Sequence, residues 1–196
     1  MDALSGVRVR PAAGRRGLLL FLLLAAQLAF PPSAAAQAEP SAAEHQVKAA
    51  YLYKFLGFVE WPARSFESAE SPFVIGVVGA DELATELAQV VAQRHINGRP
   101  AVARRMRPGD PLTGLHMLFV GRGAGARTAG LLGSARQAGV LTVTETDEAF
   151  AAGSAINFVL VDNRVRFDVA LAGVDPNELK ISSRLLGVAR RVKGPL

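Results

Sequence analysis

Apolar residues recur at helical spacing just after the start of this chain. Val47, Tyr51, Phe55 and Phe58 are separated by four, four and three residues, the spacing that places side chains on one face of a helix. A neighbouring stripe widens the apolar face: Leu52, Leu56 and Val59. We therefore predict a largely buried helix over residues 44–59, which Trp61-Pro62 ends because a residue before proline disfavours helical geometry.

Short, continuous apolar runs follow this helix. The clearest are 73–79, 115–120 and 140–144, and their pattern is typical of strands buried on both faces. Helical patterns separate them, one capped by Asp81 and one from about 126 to 137, ended by Gly139. Residues 101–105 are predicted to form a short exposed strand after an Asn-Gly turn at 97–98.

The last third of the chain predicts a hairpin and a final helix. Residues 155–161 and 165–169 flank Asp162-Asn163, a pair suited to a tight turn. Ser182-Ser183 then caps a helix that continues to Val192 and ends in basic residues. The alternation of elements predicts a layered α/β single domain. It has a central, mostly parallel sheet, helices on both faces and a C-terminal antiparallel hairpin at the edge.

The first residues have the pattern of an export signal. Four arginines precede a 13-residue apolar stretch from Leu18 to Phe30, and alanines suited to cleavage follow it, after Ala36 or Ala38. We predict a cleaved signal peptide over 1–36, a flexible mature N-terminus over 37–43 and one domain over 44–196. An uncleaved anchor is the alternative, although about 20 residues are needed to span a bilayer, and no later segment predicts a stable span.

Charge and cysteine content restrict the classes of function. Removing the signal, with its four arginines and one aspartate, lowers the formal net charge from +5 to +2, so the basic balance does not indicate nucleic-acid binding. A local basic cluster lacks interleaved aromatic residues: Arg99, Arg104, Arg105 and Arg107. The chain has no cysteine, which excludes disulfides, thiolate metal sites and cysteine nucleophiles.

No catalytic constellation is apparent in the sequence. His45, His95 and His116 are far apart and lack the spacing of a helical zinc site. A Gly-x-Ser-x-Gly motif is absent, and the neighbouring acids Glu145, Asp147 and Glu148 are predicted to lie in a solvated loop. We predict a protein that is not an enzyme and has no metal or cofactor.

One glycine-rich segment favours a different class of function. Gly121, Gly123 and Ala126 match G-x-G-x-x-A after a predicted strand, and Glu145 follows at about the distance of a ribose-binding acid. The alternative hypothesis is therefore an exported domain that binds a nucleotide or another small molecule at this turn. A glycine-rich turn without a ligand explains the same residues.

Taken together, the motifs resemble one known family. The helix of residues 47–55 runs into Val59-Glu60-Trp61-Pro62, and residues 179–186 read Leu-Lys-Ile-Ser-Ser-Arg-Leu-Leu. With the strands near 116–120, 140–144 and 156–159, this pattern resembles the YfiR-like periplasmic family over about residues 44–192.

The resemblance implies a non-enzymatic periplasmic regulator. Such a protein binds the periplasmic sensor part of a membrane-anchored partner, a diguanylate cyclase in the best-known case, and thereby lowers cyclic di-GMP signalling and surface attachment. It also implies a homodimer. The chain departs from the family in having no cysteines, and in the segment 170–178, where Gly173 and Pro176 weaken a helix.

We expect the partner or dimer surface to involve the aromatic N-terminal helix and the final helix. Each of these side chains also suits simple core packing. The candidate residues are Tyr51, Phe55, Phe58, Trp61, Leu185 and Leu186.

Overall fold

The structure is a computed structural model that describes residues 41–175 and 178–194. The predicted signal peptide lies outside the described residues. Residues 37–40 of the predicted flexible N-terminus also lie outside the described residues. The first helix begins at Ala42 rather than Glu44. Ser41 caps this helix, since its Oγ accepts a hydrogen bond from the Glu44 backbone N–H at 3.2 Å.

The described residues form five α-helices and ten strands. The helices are α1 (Ala42–Phe55), α2 (Asp81–Val91), α3 (Thr128–Gln137), α4 (Asp147–Ala151) and α5 (Ser183–Val188). The strands are β1 (Val59–Glu60), β2 (Phe73–Val78), β3 (His95–Ile96), β4 (Arg99–Met106), β5 (Met117–Val120), β6 (Leu141–Thr144), β7 (Ile156–Val161), β8 (Arg164–Ala170), β9 (Lys180–Ile181) and β10 (Arg191–Lys193).

The central sheet of the described residues has eight strands in the order β10-β8-β7-β6-β5-β2-β4-β3. The five central strands, β7, β6, β5, β2 and β4, are parallel to one another. By contrast, β8 runs antiparallel to β7, and β3 runs antiparallel to β4. A separate two-stranded sheet pairs β1 with β9. The predicted α/β class and mostly parallel sheet are confirmed.

Both faces of the sheet are buried, as the continuous apolar runs predicted. Phe73, Ile75 and Val77 of β2 belong to the core beneath α1 and α2. Val74 and Val78 belong to the opposite core, which α3 covers with Leu132 and Ala135. Because side chains of a strand alternate between faces, one strand contributes to both cores.

The first helix is shorter than predicted. It ends at Phe55, and one 3₁₀ turn over 56–58 leads into β1, where Val59 pairs with Ile181. Ala49, Leu52 and Phe55 are buried. The pairing with β9 extends the backbone before the proline is reached, so the helix ends earlier than the Trp61-Pro62 signal predicted.

The C-terminal elements confirm one prediction and correct two. Asp162 and Asn163 adopt φ values of 49° and 56°, which suits a tight hairpin turn between β7 and β8. The hairpin is not the edge of the sheet, because β10 pairs in parallel with β8. The final helix ends at Val188 rather than Val192, since residues 191–193 form that strand.

Two boundaries near acidic residues also differ from the predictions. Asp81 is the first residue of α2, and Ala80 precedes it without a side-chain cap. Asp147 and Glu148 lie in the first turn of the short helix α4 rather than in a loop, and Thr146 caps that helix. A five-residue helix carries too little periodicity to be predicted from its sequence.

Candidate functional site

The two ends of the parallel strands differ in chemistry. The strands β2, β5 and β6 end near Gly79, Gly121 and Glu145, and we call this end the carboxyl edge. They begin near Phe73 and His116, and we call that end, with β1 and β9, the amino edge. The candidate functional residues divide between these two edges.

A cleft opens at the amino edge, with a volume of about 420 Å³. Trp61 and Phe58 line it and are half-buried, as is Phe66. We call it the amino-edge cleft, lined by Gly57, Phe58, Val59, Glu60, Trp61, Phe66, Phe73, Asn97, Arg99 and Ser182. Its walls combine aromatic rings with one carboxylate and one guanidinium group.

The aromatic side chains that line this cleft also pack around His116, which lies behind them. The imidazole centroid lies 4.5 Å from Phe66, 5.2 Å from Phe73 and 5.6 Å from Trp61. The Trp61 indole Nε1–H donates to the Leu56 carbonyl at 3.1 Å, which fixes its orientation. Edge-to-face and offset ring pairs of this kind are favourable beyond the area that they bury.

His116 is buried, with 3% of its surface exposed. The Val74 backbone N–H donates to His116 Nδ1 at 3.2 Å, so the neutral ring carries its proton on Nε2. Burial lowers the pKa of His116 from 6.5 to about 4; the nearby Ser65 backbone acts in the opposite direction, and the charge of Arg99 lowers the pKa further. The ring is therefore neutral at physiological pH and serves as part of the aromatic packing.

Arg99 is fixed above the same cluster. Its guanidinium carbon lies 3.9 Å from the Phe66 ring centroid, a cation–π distance. Its Nη1 donates to the carbonyl oxygens of Ser68 and Ser71 at 2.8 and 3.0 Å. Arg99 therefore holds the loop before β2 in place. Its guanidinium group already has partners within the chain, so Arg99 does not suit the phosphate contact that its position in the basic cluster suggested.

The predicted interface residues do not form one surface. Phe58 and Trp61 line the amino-edge cleft, and Leu186 is half-buried. Phe55 and Leu185 are core residues with 1% and 2% of their surface exposed. Sequence periodicity could not separate these residues, because a core face and a contact face have the same apolar pattern.

Tyr51 is neither a cleft residue nor a fully buried core residue. It is half-buried, and its ring centroid lies 5.6 Å from Phe167 and 6.0 Å from Phe158. Phe55 contacts the same two rings. Tyr51 thus extends the core cluster between α1 and the hairpin strands β7 and β8.

A buried charge network occupies the carboxyl edge. Lys48, only 2% exposed, places its Nζ 2.5 Å from Glu44 Oε1 and 2.5 Å from Glu145 Oε2. The other Glu145 oxygen accepts from the Arg122 backbone N–H at 3.2 Å. Glu145 therefore joins α1 to the loop after β5. The sequence signalled only the Glu44–Lys48 half of this network, through its spacing of four residues on a helix.

Close backbone packing explains two of the glycines in the G-x-G-x-x-A segment. A Cβ atom on Gly121 would lie 2.5 Å from the Gly79 carbonyl oxygen, and one on Gly123 would lie 2.8 Å from it. The Gly123 N–H donates to that same oxygen at 3.1 Å. The segment thus closes over the end of β2, and the helix α3 starts only at Thr128.

Nucleotide binding at this segment therefore stays a prediction without a structural feature that favours it. The Glu145 carboxylate, the candidate ribose ligand, is engaged by Lys48 and the Arg122 backbone. Ala126 is exposed on the 3₁₀ turn. A ligand there would have to displace the contacts that close the carboxyl edge.

Residues 41–175 and 178–194 lack two structural features. No helix in this part of the chain is long and apolar enough to cross a membrane. The same residues contain no group of three or more histidine or acidic side chains placed to hold a metal ion.

Comparison with known proteins defines the family. The fold is that of a mixed α/β domain with a central, mostly parallel sheet. A family model described as YfiR/HmsC-like matches residues 45–190, so the chain belongs to this family. The family is one of periplasmic proteins that are regulatory rather than catalytic.

Other comparisons add little to this assignment. No curated protein matches the sequence. A crystal structure of a conserved domain protein from Vibrio cholerae is similar, with 12% identity and a TM-score of 0.49. The match covers 76% of this chain and 60% of that one.

Proposed function

We propose that this protein is a non-enzymatic regulator that is exported to the periplasm and acts by binding a membrane-anchored partner. The partner has a periplasmic sensor part, and a diguanylate cyclase is the specific candidate. Binding would hold the cyclase inactive and lower cyclic di-GMP in the cell. The proposal includes cleavage of the signal peptide over residues 1–36 and a homodimeric state.

The amino-edge cleft is the observation that carries the contact part of this proposal. Tryptophan, phenylalanine and arginine are enriched at protein interfaces, and tryptophan and arginine are enriched among the residues that dominate the binding energy. Trp61 and Phe58 are half-buried and belong to the cleft. A side chain of a partner that filled the cleft would complete the burial of rings that the chain itself leaves partly exposed.

Inhibition would follow from different affinities for two states of the partner. A regulator shifts a conformational equilibrium only by the ratio of its affinities for the two forms. Moving a partner from 99% active to 99% inactive requires a ratio of about 10⁴. An interface built around a few buried aromatic side chains reaches differences of this size.

The experiment measures cyclic di-GMP in the host after deletion of the gene and after complementation. Gly57 lines the cleft, and a Cβ added there would meet only Ile96 side-chain atoms at 3.7–3.8 Å. Gly57→Gln therefore alters the cleft without removing a core side chain. Gly130→Gln is the matched control, because Gly130 is exposed on α3 with open space around it.

We expect deletion to raise cyclic di-GMP, and wild type and Gly130→Gln to restore the low level. Gly57→Gln should fail to restore it while reaching the same periplasmic abundance. Unchanged cyclic di-GMP after deletion would refute the cyclase as the partner. Full restoration by Gly57→Gln would refute the amino-edge cleft as the contact. Light scattering of the mature protein tests the homodimer separately.

A further inference from the structure

The strand β4 leaves most of its outer edge without a neighbouring strand. It is eight residues long, but β3 pairs only with Arg99 and Pro100. The Ala101 N–H still donates to the Arg94 carbonyl at 3.2 Å. Beyond that point, no described strand pairs with the outer side of β4.

The direction of the backbone groups along this edge follows from that hydrogen bond. The Ala101 N–H points away from β2, and alternate residues of a strand direct their N–H and C=O groups to the same side. Ala103 and Arg105 therefore direct their backbone groups outward. Such a row of donors and acceptors is the template to which another extended chain adds as a strand.

A groove runs beside this open edge, between β4 and α2. It has a volume of about 550 Å³. Its helical wall carries small side chains at Ala84, Ala88 and Ala92, so an added strand has room for its own side chains. The remaining lining residues are Thr85, Gln89, Ala103 and Arg105.

Charge indicates which extended chain suits this edge. Arg104, Arg105 and Arg107 are exposed. Arg105 contacts Asp81 at 3.5 Å and Thr85 at 3.1 Å, whereas Arg104 has no ion pair with a described residue. A second copy pairing along the same edge would place arginines opposite arginines, which is unfavourable. Acidic side chains at alternate positions would be complementary.

We propose that the edge of β4 and the α2 groove bind an extended, acidic segment of a partner protein by β-strand addition. The inference deepens the proposed function, because the segment would belong to the regulated partner. Main-chain hydrogen bonds to Ala103 and Arg105 supply affinity. Small apolar side chains enter the α2 groove, and alternate acidic side chains meet Arg104 on the other face of the strand.

The test uses the mature chain and a fluorescent, end-capped peptide of sequence Thr-Val-Glu-Val-Glu-Val-Thr, with anisotropy as the measurement. Ala103→Pro removes an outward N–H, which an edge strand tolerates. Ala88→Leu fills the groove. Arg104→Glu reverses the charge on the other face of β4. Arg164→Glu is the charge-matched control, because Arg164 is exposed at the far hairpin.

We expect saturable binding to wild type and to Arg164→Glu, weakened at least about tenfold in the three edge variants. A peptide with lysine in place of glutamate should bind at least about tenfold more weakly. Absence of saturable binding, or equal binding by Ala103→Pro with unchanged circular dichroism, would overturn the proposal. So would self-association of wild type that Ala103→Pro abolishes, because a second copy would then occupy the edge.

Cyclic di-GMP measurements separate this inference from the proposed function. If the Ala88→Leu variant neither binds the peptide nor lowers cyclic di-GMP, the result supports both the strand-addition site and the regulatory function. Ala88→Leu that loses peptide binding but regulates normally would overturn the edge as the partner contact and leave the regulatory function intact. An unaffected cyclic di-GMP level after gene deletion, with peptide binding retained, would refute only the regulatory function.

Discussion

The carboxyl and amino edges of the sheet are closed by different means. At the carboxyl edge, charges and backbone contacts lock α1 and the loop after β5 over the strand ends. At the amino edge, aromatic rings pack around a neutral histidine, and a cleft stays open beside them. Open α/β sheets usually bind ligands at the carboxyl ends of their strands. Here that position is filled, and the accessible aromatic surface lies at the opposite end.

The comparison has an energetic side as well. A buried ion pair contributes little net stability when intact but is costly to break, because removing one partner leaves a buried charge. Replacing one aromatic residue by another costs less, because most of the buried apolar area is kept. The carboxyl edge should therefore be the more sensitive of the two to single substitutions.

The largest effect is expected for Glu145→Ala at the carboxyl edge. The substitution leaves the Lys48 ammonium with Glu44 alone and removes the acceptor of the Arg122 N–H. We expect the free energy of unfolding to fall by about 4 kcal/mol, because two hydrogen bonds to a carboxylate are lost together. Urea denaturation measures the change. Glu148→Ala, an exposed acid on α4, is the control and should change it by about 0.5 kcal/mol or less. Equal effects of the two would show that the network is not structural.

The next effect concerns the pH dependence of the amino edge. The pKa of His116 is lowered by burial to about 4 in the folded state, against about 6.5 when unfolded. As pH falls from 6.5 to 4, the unfolded chain binds the proton first, so stability present at neutral pH is lost by up to about 3 kcal/mol.

His116→Asn isolates this contribution. An asparagine oxygen can accept the hydrogen bond from the Val74 N–H, but the side chain does not titrate. We expect wild type to lose about 3 kcal/mol more than the variant between pH 7 and pH 4 in urea titrations. The same loss in both proteins would contradict the buried neutral imidazole.

A smaller effect tests the backbone contact that closes the carboxyl edge. Gly79 has φ of 69°, and a Cβ there would lie 2.4 Å from the Ala124 nitrogen. Gly79→Ala should destabilise the protein by about 2 kcal/mol through strain. Gly130→Ala, in a helix with open space, should instead stabilise it by up to about 1 kcal/mol. Thermal unfolding of both variants measures these changes. If Gly79→Ala left the stability unchanged, the loop after β5 would move aside at little cost.

The smallest effect is expected for Trp61→Phe. The ring contacts with Phe73 and His116 are largely kept, but the hydrogen bond to the Leu56 carbonyl is lost. We expect a loss of about 1 kcal/mol, followed by circular dichroism because Trp61 is the only tryptophan. Tyr53→Phe removes an exposed hydrogen bond to the His95 carbonyl and should cost less. A larger cost for Tyr53→Phe would reverse this ranking.

Local sequence patterns predicted the elements better than their boundaries. The apolar runs of β2, β5 and β6 and the turn at Asp162-Asn163 were identified correctly, because period and turn chemistry act within a few residues. The predicted final helix is too long, because Val192 suits either a helix face or a strand. Its pairing with Val169 in β8 decided the outcome.

The candidate site shows the same division. Phe58 and Trp61 are two of the six interface residues that the sequence predicts, but periodicity does not show which of the six line a cleft and which are core residues. Phe66, Phe73 and Arg99 were not proposed as companions of Trp61, because they come from separate segments that meet only at the amino edge.

By itself the sequence determined the α/β class, the alternating core pattern, the absence of thiol chemistry and the resemblance that family membership then confirmed. The tertiary structure alone decided that Glu145 is paired with Lys48, that Gly121 and Gly123 close against Gly79, and that His116 is enclosed by rings. The reason is physical. Periodicity and turn chemistry are local properties, whereas burial, ion pairing and backbone contact depend on which distant segments the sheet order brings together.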